Sequence, residues 1–495
     1  MRYRASDIKL NLGESTALLE KKISKKYGIR ATNLEIIREG LDARKKPDLK
    51  FVYTVDFDSN KKLNLPESKE RAYVNPKAKG KKNIVIVGFG PSGIFASLVL
   101  SRAGYKVTVL EQGLDVDTRT KIVNEFWNEG KLNPLTNVQF GEGGAGTFSD
   151  GKLTTGIKDE RIRFILREFV KHGANPDIMY KGKPHIGTDV LKEVVKNIRN
   201  EIIELGSTVL FGSKVTSLNI ENGKVDSLTY VDSDGIKKVE CDYVILAIGN
   251  SARDTFKLLN DLNVSMEKKP FSIGFRIEHD QKMIDISQYG KTSGELGIEP
   301  ATYKLNTVTS SGRGVYTFCM CPGGYVINAS SEEGRVCING MSERNRDSGK
   351  ANSAILCDVR PDDLDDDVLS GIDFQRKYEE LAYDGSYDVP QNTVENYLSD
   401  KADNISKCVP DFANDSIREA IKVFGTKIKG FDNGDSILRA VETRSSCPIR
   451  IKRDEKYRSS VLNIYPIGEG AGYAGGIMSS AVDGVKIAEA ICEVE

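Results

Sequence analysis

The chain has 495 residues, 39% hydrophobic and 29% charged, and its 71 basic side chains balance its 71 acidic ones, which describes a globular protein of two or three domains. No apolar run approaches the length of a membrane-spanning helix, and the N-terminus MRYRASDIKL lacks an apolar signal segment, so we predict neither membrane association nor secretion. The eight cysteines show no disulfide or zinc spacing, which favours a reducing cytoplasm, and with only three histidines we predict no metal site.

The first part of the chain is strongly basic. Residues 1–82 contain 21 Lys and Arg against 11 Asp and Glu, a net charge of +10, so the rest of the chain carries −10. The pattern predicts a small α+β domain over 1–78, with a helix over 15–27 followed by two strands. A linker rich in Lys and Pro, residues 66–83, follows it. Two interpretations of the basic domain are open: it docks on the acidic remainder of the chain, which is the commoner case, or it binds nucleic acid.

At Asn83 the sequence changes to NIVIVGFGPSGIFASLVLSRAGYKVTVLEQG, which predicts a strand, a GxGxxG turn, a helix ending near Gly104 and a second strand ending at Glu111. In this arrangement the first glycine makes the turn, the second lets a pyrophosphate approach, and the third lets helix and strand pack closely. The helix N-terminus favours the phosphate charge, and the carboxylate of Glu111 accepts hydrogen bonds from ribose hydroxyls. The predicted dinucleotide contacts are Gly88, Gly90, Pro91, Ser92, Gly93, Glu111, Gln112 and Gly113.

The rest of the chain holds two further kinds of pattern. Residues 205–248 contain short alternating strands with Asn-Gly and Asp-Gly turns, which predict a β-meander followed by an apolar strand before Gly249. Residues 265–434 hold strands such as FSIGFRIEH and GVYTFCMC and a helix over 416–428, which predict an antiparallel sheet covered by helices. No second GxGxxG follows a strand in the sequence, so we predict no dedicated pyridine-nucleotide domain.

The motifs GFGPSG, FGEGGAGTFSDGKL, KPHIGTD, FCMCPGG, ETRSSCPIRI and PIGEGAGYAGGI together resemble the largely uncharacterised bacterial FAD-dependent dehydrogenases that carry an extra N-terminal domain. The meander and the strand after it also resemble the FAD-binding domain of the glutathione-reductase-like flavoproteins. The resemblance implies an α/β fold: a Rossmann-like FAD-binding domain, with a parallel sheet plus the β-meander, formed by 83–264 and 435–495. An inserted α+β substrate domain would cover 265–434 and the small N-terminal α+β domain 1–78. It also implies a bound FAD.

The glycine-rich stretch QFGEGGAGTFSDGKL, residues 139–153, is typical of a backbone that must approach a ligand. A flexible surface loop is the alternative, and Phe140 and Phe148 disfavour it. The resemblance implies that this segment lines the pyrophosphate and the flavin. We therefore expect the backbone N–H groups of the glycines at 141, 143, 144 and 146 to face the cofactor. Polar contacts to the cofactor are expected from Ser149, Asp150 and Lys152. The same resemblance places an acid on the ribityl chain, here Glu469 where Asp is usual. The cofactor contacts that it implies are Arg119, Gly143, Gly144, Ala145, Gly146, Lys152, Val215, Gly249, Gly468, Glu469, Gly475, Gly476 and Ile477.

Candidate catalytic groups lie in CMCPGG, PHIGTD and RSSCPIR. Cys319 and Cys321 are two apart in a predicted strand and would face the same side, where they either perform thiol chemistry or, as we favour, pack as small buried side chains. Alternate Cα atoms of a regular strand lie roughly 6.5–7 Å apart, near the limit for a disulfide, so we expect two-electron rather than four-electron reduction. His185 is an acid/base candidate, although a lone histidine is commonly structural. Arg444 and Arg450 either bind a substrate carboxylate or form internal salt bridges.

These features predict an FAD-dependent oxidoreductase, a dehydrogenase or reductase, that transfers a hydride or two electrons between flavin and a small-molecule substrate. The electron donor is either NAD(P)H, bound transiently at the flavin face, or the substrate itself. Two other functions stay open: a flavoenzyme that acts on RNA through the basic N-terminal domain, and a redox sensor that uses FAD structurally.

Overall fold

The structure is a computed structural model, and it describes residues 1–68, 73–399, 401 and 404–493. Residues 69–72 of the predicted linker lie outside the described residues. The strands are β1 (Arg2–Asn11), β2 (Thr32–Asp42), β3 (Lys50–Asp58), β4 (Ile84–Val87), β5 (Val107–Leu110), β6 (Thr208–Leu210), β7 (Lys214–Glu221), β8 (Lys224–Asp232), β9 (Gly235–Glu240), β10 (Tyr243–Leu246), β11 (Met266–Lys268), β12 (Phe271–Asp280), β13 (Asn306–Val308), β14 (Gly314–Pro322), β15 (Tyr325–Asn328), β16 (Ile338–Met341), β17 (Lys350–Val359), β18 (Gln391–Thr393), β19 (Ile437–Glu442), β20 (Ile449–Ile451) and β21 (Ile464–Pro466).

The α-helices are α1 (Leu18–Tyr27), α2 (Pro91–Ala103), α3 (Val116–Glu129), α4 (Arg161–Lys171), α5 (Thr188–Glu204), α6 (Arg253–Asp261), α7 (Gln281–Tyr289), α8 (Ser293–Leu296), α9 (Ser370–Leu381), α10 (Val394–Leu398), α11 (Asp411–Lys427) and α12 (Ile477–Glu493). Short 3₁₀ turns cover Ala145–Phe148, Pro176–Met179, Pro361–Asp363 and Ser406–Cys408. Within the described ranges, no helix is both long and apolar enough to cross a bilayer.

The N-terminal segment folds as a three-stranded antiparallel sheet in the order β1-β3-β2, with α1 packed on one face. It contacts the rest of the chain directly: the backbone N–H of Glu39 donates to the carbonyl of Tyr180 at 2.7 Å, and the ammonium of Lys46 donates to the carbonyl of Ser287 at 2.6 Å. An ion pair of 3.0 Å between Arg163 and Glu35 joins the same two bodies. The basic segment is therefore docked on the rest of the protein.

A parallel sheet of five strands, in the order β21-β10-β4-β5-β6, forms the centre of the second body. Every residue of β4 is buried, as its apolar sequence IVIV predicts for a strand covered on both faces. Helices α2 and α12 pack tightly together: a Cβ built on Gly484 would lie 2.2 Å from the carbonyl oxygen of Ser92. The meander β7-β8-β9 stands apart as its own antiparallel sheet. The predicted parallel sheet and β-meander are both present.

An antiparallel sheet of six strands, in the order β13-β14-β17-β12-β19-β18, forms the third body, and α11 packs on it. Strand β19 pairs with β12, with Gly274 opposite Glu442. The sequence assigned residues 435–495 to the FAD-binding domain, but β19 lies within the antiparallel sheet. The pairing partner of a strand is a long-range property, and no local pattern in ILRAVE indicates it.

Candidate active site

A cavity of about 1290 Å³ lies between the carboxyl ends of the parallel strands and the antiparallel sheet. Its lining includes the GxGxxG turn and Glu111 from the parallel sheet, together with Cys319 and Glu442 from the antiparallel sheet. Ligands of open α/β sheets bind outside the carboxyl ends of the strands. Most small-molecule pockets measure about 300–1,000 Å³, so this cavity has room for a dinucleotide and a second molecule.

The N-termini of two helices meet at the cavity. Helix α2 begins after Gly90, and Gly90, Pro91 and Ser92 line the cavity; α12 begins at Ile477, which also lines it. Helix N-termini favour negative charge through their free N–H groups and the helix dipole. The arrangement suits a pyrophosphate.

At some glycines of the cavity wall, no contact with the rest of the protein requires that the side chain be absent. A Cβ built on Gly475 would meet no protein atom within 4 Å, and its φ lies outside the left-handed range. Gly475 lines the cavity. By contrast, a Cβ on Gly88 would lie 2.4 Å from the carbonyl oxygen of Ala247, so that glycine is required by the protein alone. The open side of Gly475 indicates close approach of a ligand.

Glu111, at the end of β5, is buried and ties three segments of the cavity wall together. Its Oε2 accepts a hydrogen bond from the N–H of Phe89 at 2.7 Å, and its Oε1 accepts from Gly113 at 3.0 Å and Gly141 at 2.9 Å. A carboxylate offers about four acceptor positions. Three are used by the backbone, which leaves about one for a ribose hydroxyl rather than the pair that the sequence suggested.

The glycine-rich segment bonds mainly to the protein. The N–H groups of Gly141, Gly143 and Gly144 donate to Glu111, to the carbonyl of Phe89 and to the carbonyl of Gly141 respectively. The expectation that these N–H groups face the cofactor is therefore wrong, because each already has an acceptor within the chain. The segment still reaches the cavity through Gly144, Ala145 and Gly146.

Arg119, predicted as a cofactor contact, lies behind this segment and is fully buried. Its Nε donates to the carbonyl of Asn137 at 2.9 Å, its Nη1 to that of Glu142 at 2.6 Å and its Nη2 to that of Val138 at 2.9 Å. A Cβ on Gly141 would lie 2.5 Å from Arg119 Cδ, which explains that glycine. Burial lowers the pKa of Arg119 to about 10. Arg119 positions the segment and does not line the cavity.

The remaining predicted contacts divide into two groups. Those that line the cavity are Gly88, Gly90, Pro91, Ser92, Glu111, Gly144, Ala145, Gly146, Lys152, Gly249, Glu469, Gly475, Gly476 and Ile477. Those that do not are Gly93, Gln112, Gly113, Arg119, Gly143, Val215 and Gly468. Val215, on β7 of the meander, is buried in a hydrophobic core, and a Cβ on Gly93 would lie 2.1 Å from the carbonyl oxygen of Gly88, so both have structural roles.

Strand β14 is irregular where the two cysteines lie. Phe318 pairs with Ala354 but Cys321 pairs with Asn352, so β14 has one extra residue in this interval, and Cys319 has a φ of +43°. Such a β-bulge interrupts the alternation of side chains. The Sγ of Cys321 donates to the carbonyl of Cys319 at 3.3 Å, so the chain curls back on itself. The expectation of two cysteines in a regular strand is wrong.

The two thiols have different surroundings. Cys319 lines the cavity, whereas Cys321 is fully buried and does not. A hydrogen bond from Cys321, together with the nearby charges of Lys152 and Arg276, lowers the pKa of Cys319 well below its usual value. The same hydrogen bond and burial raise the pKa of Cys321. The pair is polarised, with Cys319 as the more acidic thiol.

Two charged residues that the sequence analysis missed lie beside the cysteines. Arg276 is fully buried, and its Nε donates to Glu442 at 2.5 Å while its Nη1 donates to Asn352 at 2.7 Å and to the carbonyl of Cys319 at 3.3 Å. Burial raises the pKa of Glu442 to about 7. The available signal was the charged residues within two largely apolar strands, FSIGFRIEH and ILRAVE, because a buried charge requires a partner.

Lys152 and Asp150 lie on the other side of the cysteines. The ammonium of Lys152 donates to the carbonyl of Met320 and lies 3.8 Å from Asp150. Asp150 is fully buried and pairs with Arg346 at 2.6 Å. Positive charge therefore borders the cysteine pair from two directions.

The other predicted catalytic residues have structural partners. His185 is buried and does not line the cavity; its Nε2 bonds to the carbonyl of Arg344 at 3.2 Å, and burial together with Arg346 lowers its pKa to about 4. Arg444 lines the cavity, but its guanidinium holds Glu379 through bonds of 3.0 and 2.8 Å. The salt-bridge interpretation of Arg444 is the one that the geometry supports.

Lysines surround the outer part of the cavity. They come from distant parts of the chain, and one belongs to the N-terminal domain: Lys46, Lys183, Lys304 and Lys427. Lys183 donates to the hydroxyl of Thr302, but none of the four forms an ion pair with a carboxylate among the described residues. This part of the cavity is therefore positively charged.

The described residues contain one cluster with the geometry of metal ligands, namely Glu168, His172 and Glu201. Arg102 lies 2.6 Å from Glu168 and 2.7 Å from Glu201, and Lys171 lies 2.7 Å from Glu201. These cations already neutralise the two carboxylates, so the cluster is an ion-pair network.

Comparison with known proteins identifies relatives of this chain. A protein of Clostridium beijerinckii, described only as uncharacterized, is 44% identical over 531 aligned residues, which cover 100% of this chain and 99% of the relative. The chain belongs to the family of this clostridial protein. Residues 270–445 match the family model "FAD-dependent protein, C-terminal domain-like", and residues 2–58 match a domain of unknown function. The predicted kinship with FAD-dependent proteins is confirmed at this level.

Solved structures show more distant likeness. The anhydrotetracycline hydroxylase OxyS of Streptomyces rimosus is 12% identical, with a TM-score of 0.37, and covers 83% of this chain. The glycerol-3-phosphate dehydrogenase of Bacillus halodurans, solved with FAD, is 13% identical, with a TM-score of 0.38, and covers 82%. This chain spans 62% of the first protein and 64% of the second.

Proposed function

We propose that the protein is an FAD-dependent oxidoreductase that transfers a hydride or two electrons between bound FAD and a small-molecule substrate. The observation that carries the proposal is the cavity that joins the GxGxxG helix N-terminus and Glu111 to polar groups of the antiparallel sheet. The match of residues 270–445 to a family of FAD-dependent proteins supports it. FAD supplies the two-electron chemistry, and the chain holds and encloses it.

The residues present fit FAD. The N-termini of α2 and α12 offer N–H groups and positive dipole ends to a pyrophosphate. Glu111 keeps about one acceptor position for a ribose hydroxyl, and the open side of Gly475 leaves space for a ligand. Glu469 lines the cavity and accepts a hydrogen bond from Asn250 at 2.9 Å, where the resemblance places the ribityl chain.

A matched pair of glycine variants tests this assignment. Gly475→Ala adds a methyl group that meets no protein atom, so we expect the FAD-free protein to unfold at the same urea concentration as the parent, while its affinity for FAD falls. Gly93→Ala places a methyl group 2.1 Å from a backbone oxygen, so we expect it to destabilise the protein with or without FAD. Unchanged FAD affinity in Gly475→Ala would contradict the assignment.

For the substrate, the surroundings of the cavity favour a small anion such as a carboxylate or phosphate ester. The four lysines of the outer cavity have no carboxylate partner among the described residues, and unpaired positive charge raises the local concentration of anions. Because Lys46 belongs to the N-terminal domain, this domain takes part in forming the substrate entrance.

The predicted transient donor, NAD(P)H, is tested by mixing the protein with NADH or NADPH without oxygen while the flavin absorbance is followed. Bleaching by either nucleotide supports the prediction. An unchanged spectrum with both would mean that the substrate itself supplies the electrons.

A further inference from the structure

We propose that Cys319 and Cys321 form a redox-active dithiol that exchanges two electrons with FAD, so that the protein stores electrons both on the cofactor and on a disulfide. This inference rests on the proposed function, because it requires FAD in the cavity. It departs from the packing role that the sequence favoured. The geometry of strand β14 is what changes the conclusion.

The bulge brings the two cysteines together. In a regular strand alternate residues are separated by roughly 6.5–7 Å, at the edge of what a disulfide spans. Here Cys319 has a φ of +43° and β14 carries one extra residue, so the strand is locally curled. The Sγ of Cys321 lies 3.3 Å from the carbonyl oxygen of Cys319, so the buried thiol folds back towards the residue that precedes it by two. The regular strand spacing that argued against a disulfide therefore does not apply to this pair.

The chain holds this conformation from several directions. The ammonium of Lys152 donates to the carbonyl of Met320, which lies between the two cysteines, and the guanidinium of Arg276 donates to the carbonyl of Cys319. A non-glycine residue with positive φ costs free energy, and such strain persists where its surroundings enforce it. Buried packing of two small thiols does not require a bulge fixed by two cations.

The two thiols suit the roles of an attacking and a resolving group. Cys319 lines the cavity and is only partly buried, so it reaches FAD or an incoming molecule, while the buried Cys321 reaches Cys319 alone. The positive charges of Lys152 and Arg276 favour the thiolate form of Cys319. The acidic groups that face Cys319 oppose the thiolate; they are Asp150, Glu442 and Glu469. The hydrogen bond from Cys321 adds to the stabilisation.

The chemistry balances with FAD as the oxidant. Closing the bond between Cys319 Sγ and Cys321 Sγ removes one hydrogen from each thiol. The two electrons and two protons pass to oxidised FAD, which becomes FADH₂. In the reverse direction, opening of the disulfide takes two electrons and two protons from FADH₂ and restores both thiols.

The oxidation state of the two cysteines can be measured directly on a tryptic peptide. Trypsin cleaves after Arg313 and Arg335, and the peptide 314–335 contains Cys319 and Cys321 as its only cysteines. The peptide 351–376, which runs through the uncleaved Arg360–Pro361 bond, contains only Cys357, a buried thiol of the same sheet that does not line the cavity. Denaturation in iodoacetamide followed by mass spectrometry therefore counts the free thiols of the pair and of an internal control.

The experiment uses the flavin-bound protein without oxygen. After treatment with the thiol oxidant diamide, we expect peptide 314–335 to carry no alkyl group, and after dithionite to carry two, while peptide 351–376 carries one in both states. In a reductive titration, the oxidised parent should consume twice as much dithionite per FAD as Cys319→Ser or Cys321→Ser, and Cys357→Ser should match the parent. Since the serine variants are expected to bind FAD, their flavin content shows that they fold.

Two results would overturn the inference while FAD remains bound. One is double alkylation of peptide 314–335 after diamide, which would show that the pair does not close. The other is equal dithionite consumption by the parent and the serine variants, which would show that the disulfide does not exchange electrons with FAD. Absence of bound flavin in the parent would instead refute the proposed function, so the two failures are distinguishable.

Discussion

The substitution Glu111→Gln tests how the nucleotide end of the cavity is held together. The carboxylate accepts three backbone N–H groups, from Phe89, Gly113 and Gly141, at 2.7 to 3.0 Å. Glutamine keeps the size but replaces one oxygen by an NH₂ group. Whichever way the amide turns, at least one buried N–H then faces a donor.

The size of the effect follows from those contacts. Leaving one buried donor without an acceptor costs about 1–3 kcal/mol, and the bonds that remain lose their charge assistance. We therefore expect the free energy of unfolding of the FAD-free protein to fall by at least that amount. Glutamine also replaces the charged acceptor that Glu111 keeps for a ribose hydroxyl by a neutral group, so FAD affinity should fall as well, by about 5- to 150-fold for a loss of about 1–3 kcal/mol.

Urea unfolding followed by circular dichroism measures the first effect, and titration of FAD-free protein with FAD measures the second. The matched control is Glu204→Gln, an exposed glutamate at the end of α5 for which the structure shows no ion pair. If Glu111→Gln behaves like this control in both assays, Glu111 does not organise the nucleotide end.

Three further predictions concern charge and domain structure. Burial raises the pKa of Glu469 to about 7, so between the ordinary carboxyl pKa and pH 7 the folded state binds more protons than the unfolded state. The stability that this group contributes should therefore fall as the pH rises through that window. The variant Glu469→Gln should lack this part of the pH dependence of urea unfolding. If the pH profile of that variant matches the parent, Glu469 is ionised throughout. Charge reversal by Lys183→Glu or Lys304→Glu should weaken the binding of sulfite, an anion that bleaches flavin, by about 0.5 kcal/mol each, and the difference should be smaller in high salt. Equal sulfite affinities of the variants and the parent would remove the case for an anionic substrate. Deletion of residues 1–78 should leave FAD bound, because the residues lining the nucleotide end lie outside the deleted segment, and a colourless truncated protein would show the opposite.

The sequence was sufficient for features that depend on local patterns. The apolar strand, GxGxxG turn and helix around Gly88 to Ala103 lie where predicted, because the strand, the turn and the helix are each specified by neighbouring residues in the sequence. The N-terminal α+β unit and the meander were predicted for the same reason, since alternation and turn residues are short-range signals.

Features that depend on contacts between distant segments were not predictable in this way. The alternation rule assumes a regular strand, so it misplaced Cys319, whose conformation depends on Lys152 and Arg276 from other segments. Glycine density predicts ligand contacts at 141 and 143, but Arg119 and Thr147 occupy the space that side chains at these two positions would need. Glycine density alone does not tell whether a ligand or the protein itself approaches the backbone.

The central claim is that the cavity holds FAD, and the most direct test is to denature the purified protein and identify what it releases. We predict a yellow protein that releases FAD in a non-covalent form, with one FAD for each chain. Release of a different nucleotide such as NAD, or failure of the cofactor-free protein to bind added FAD, would contradict the account.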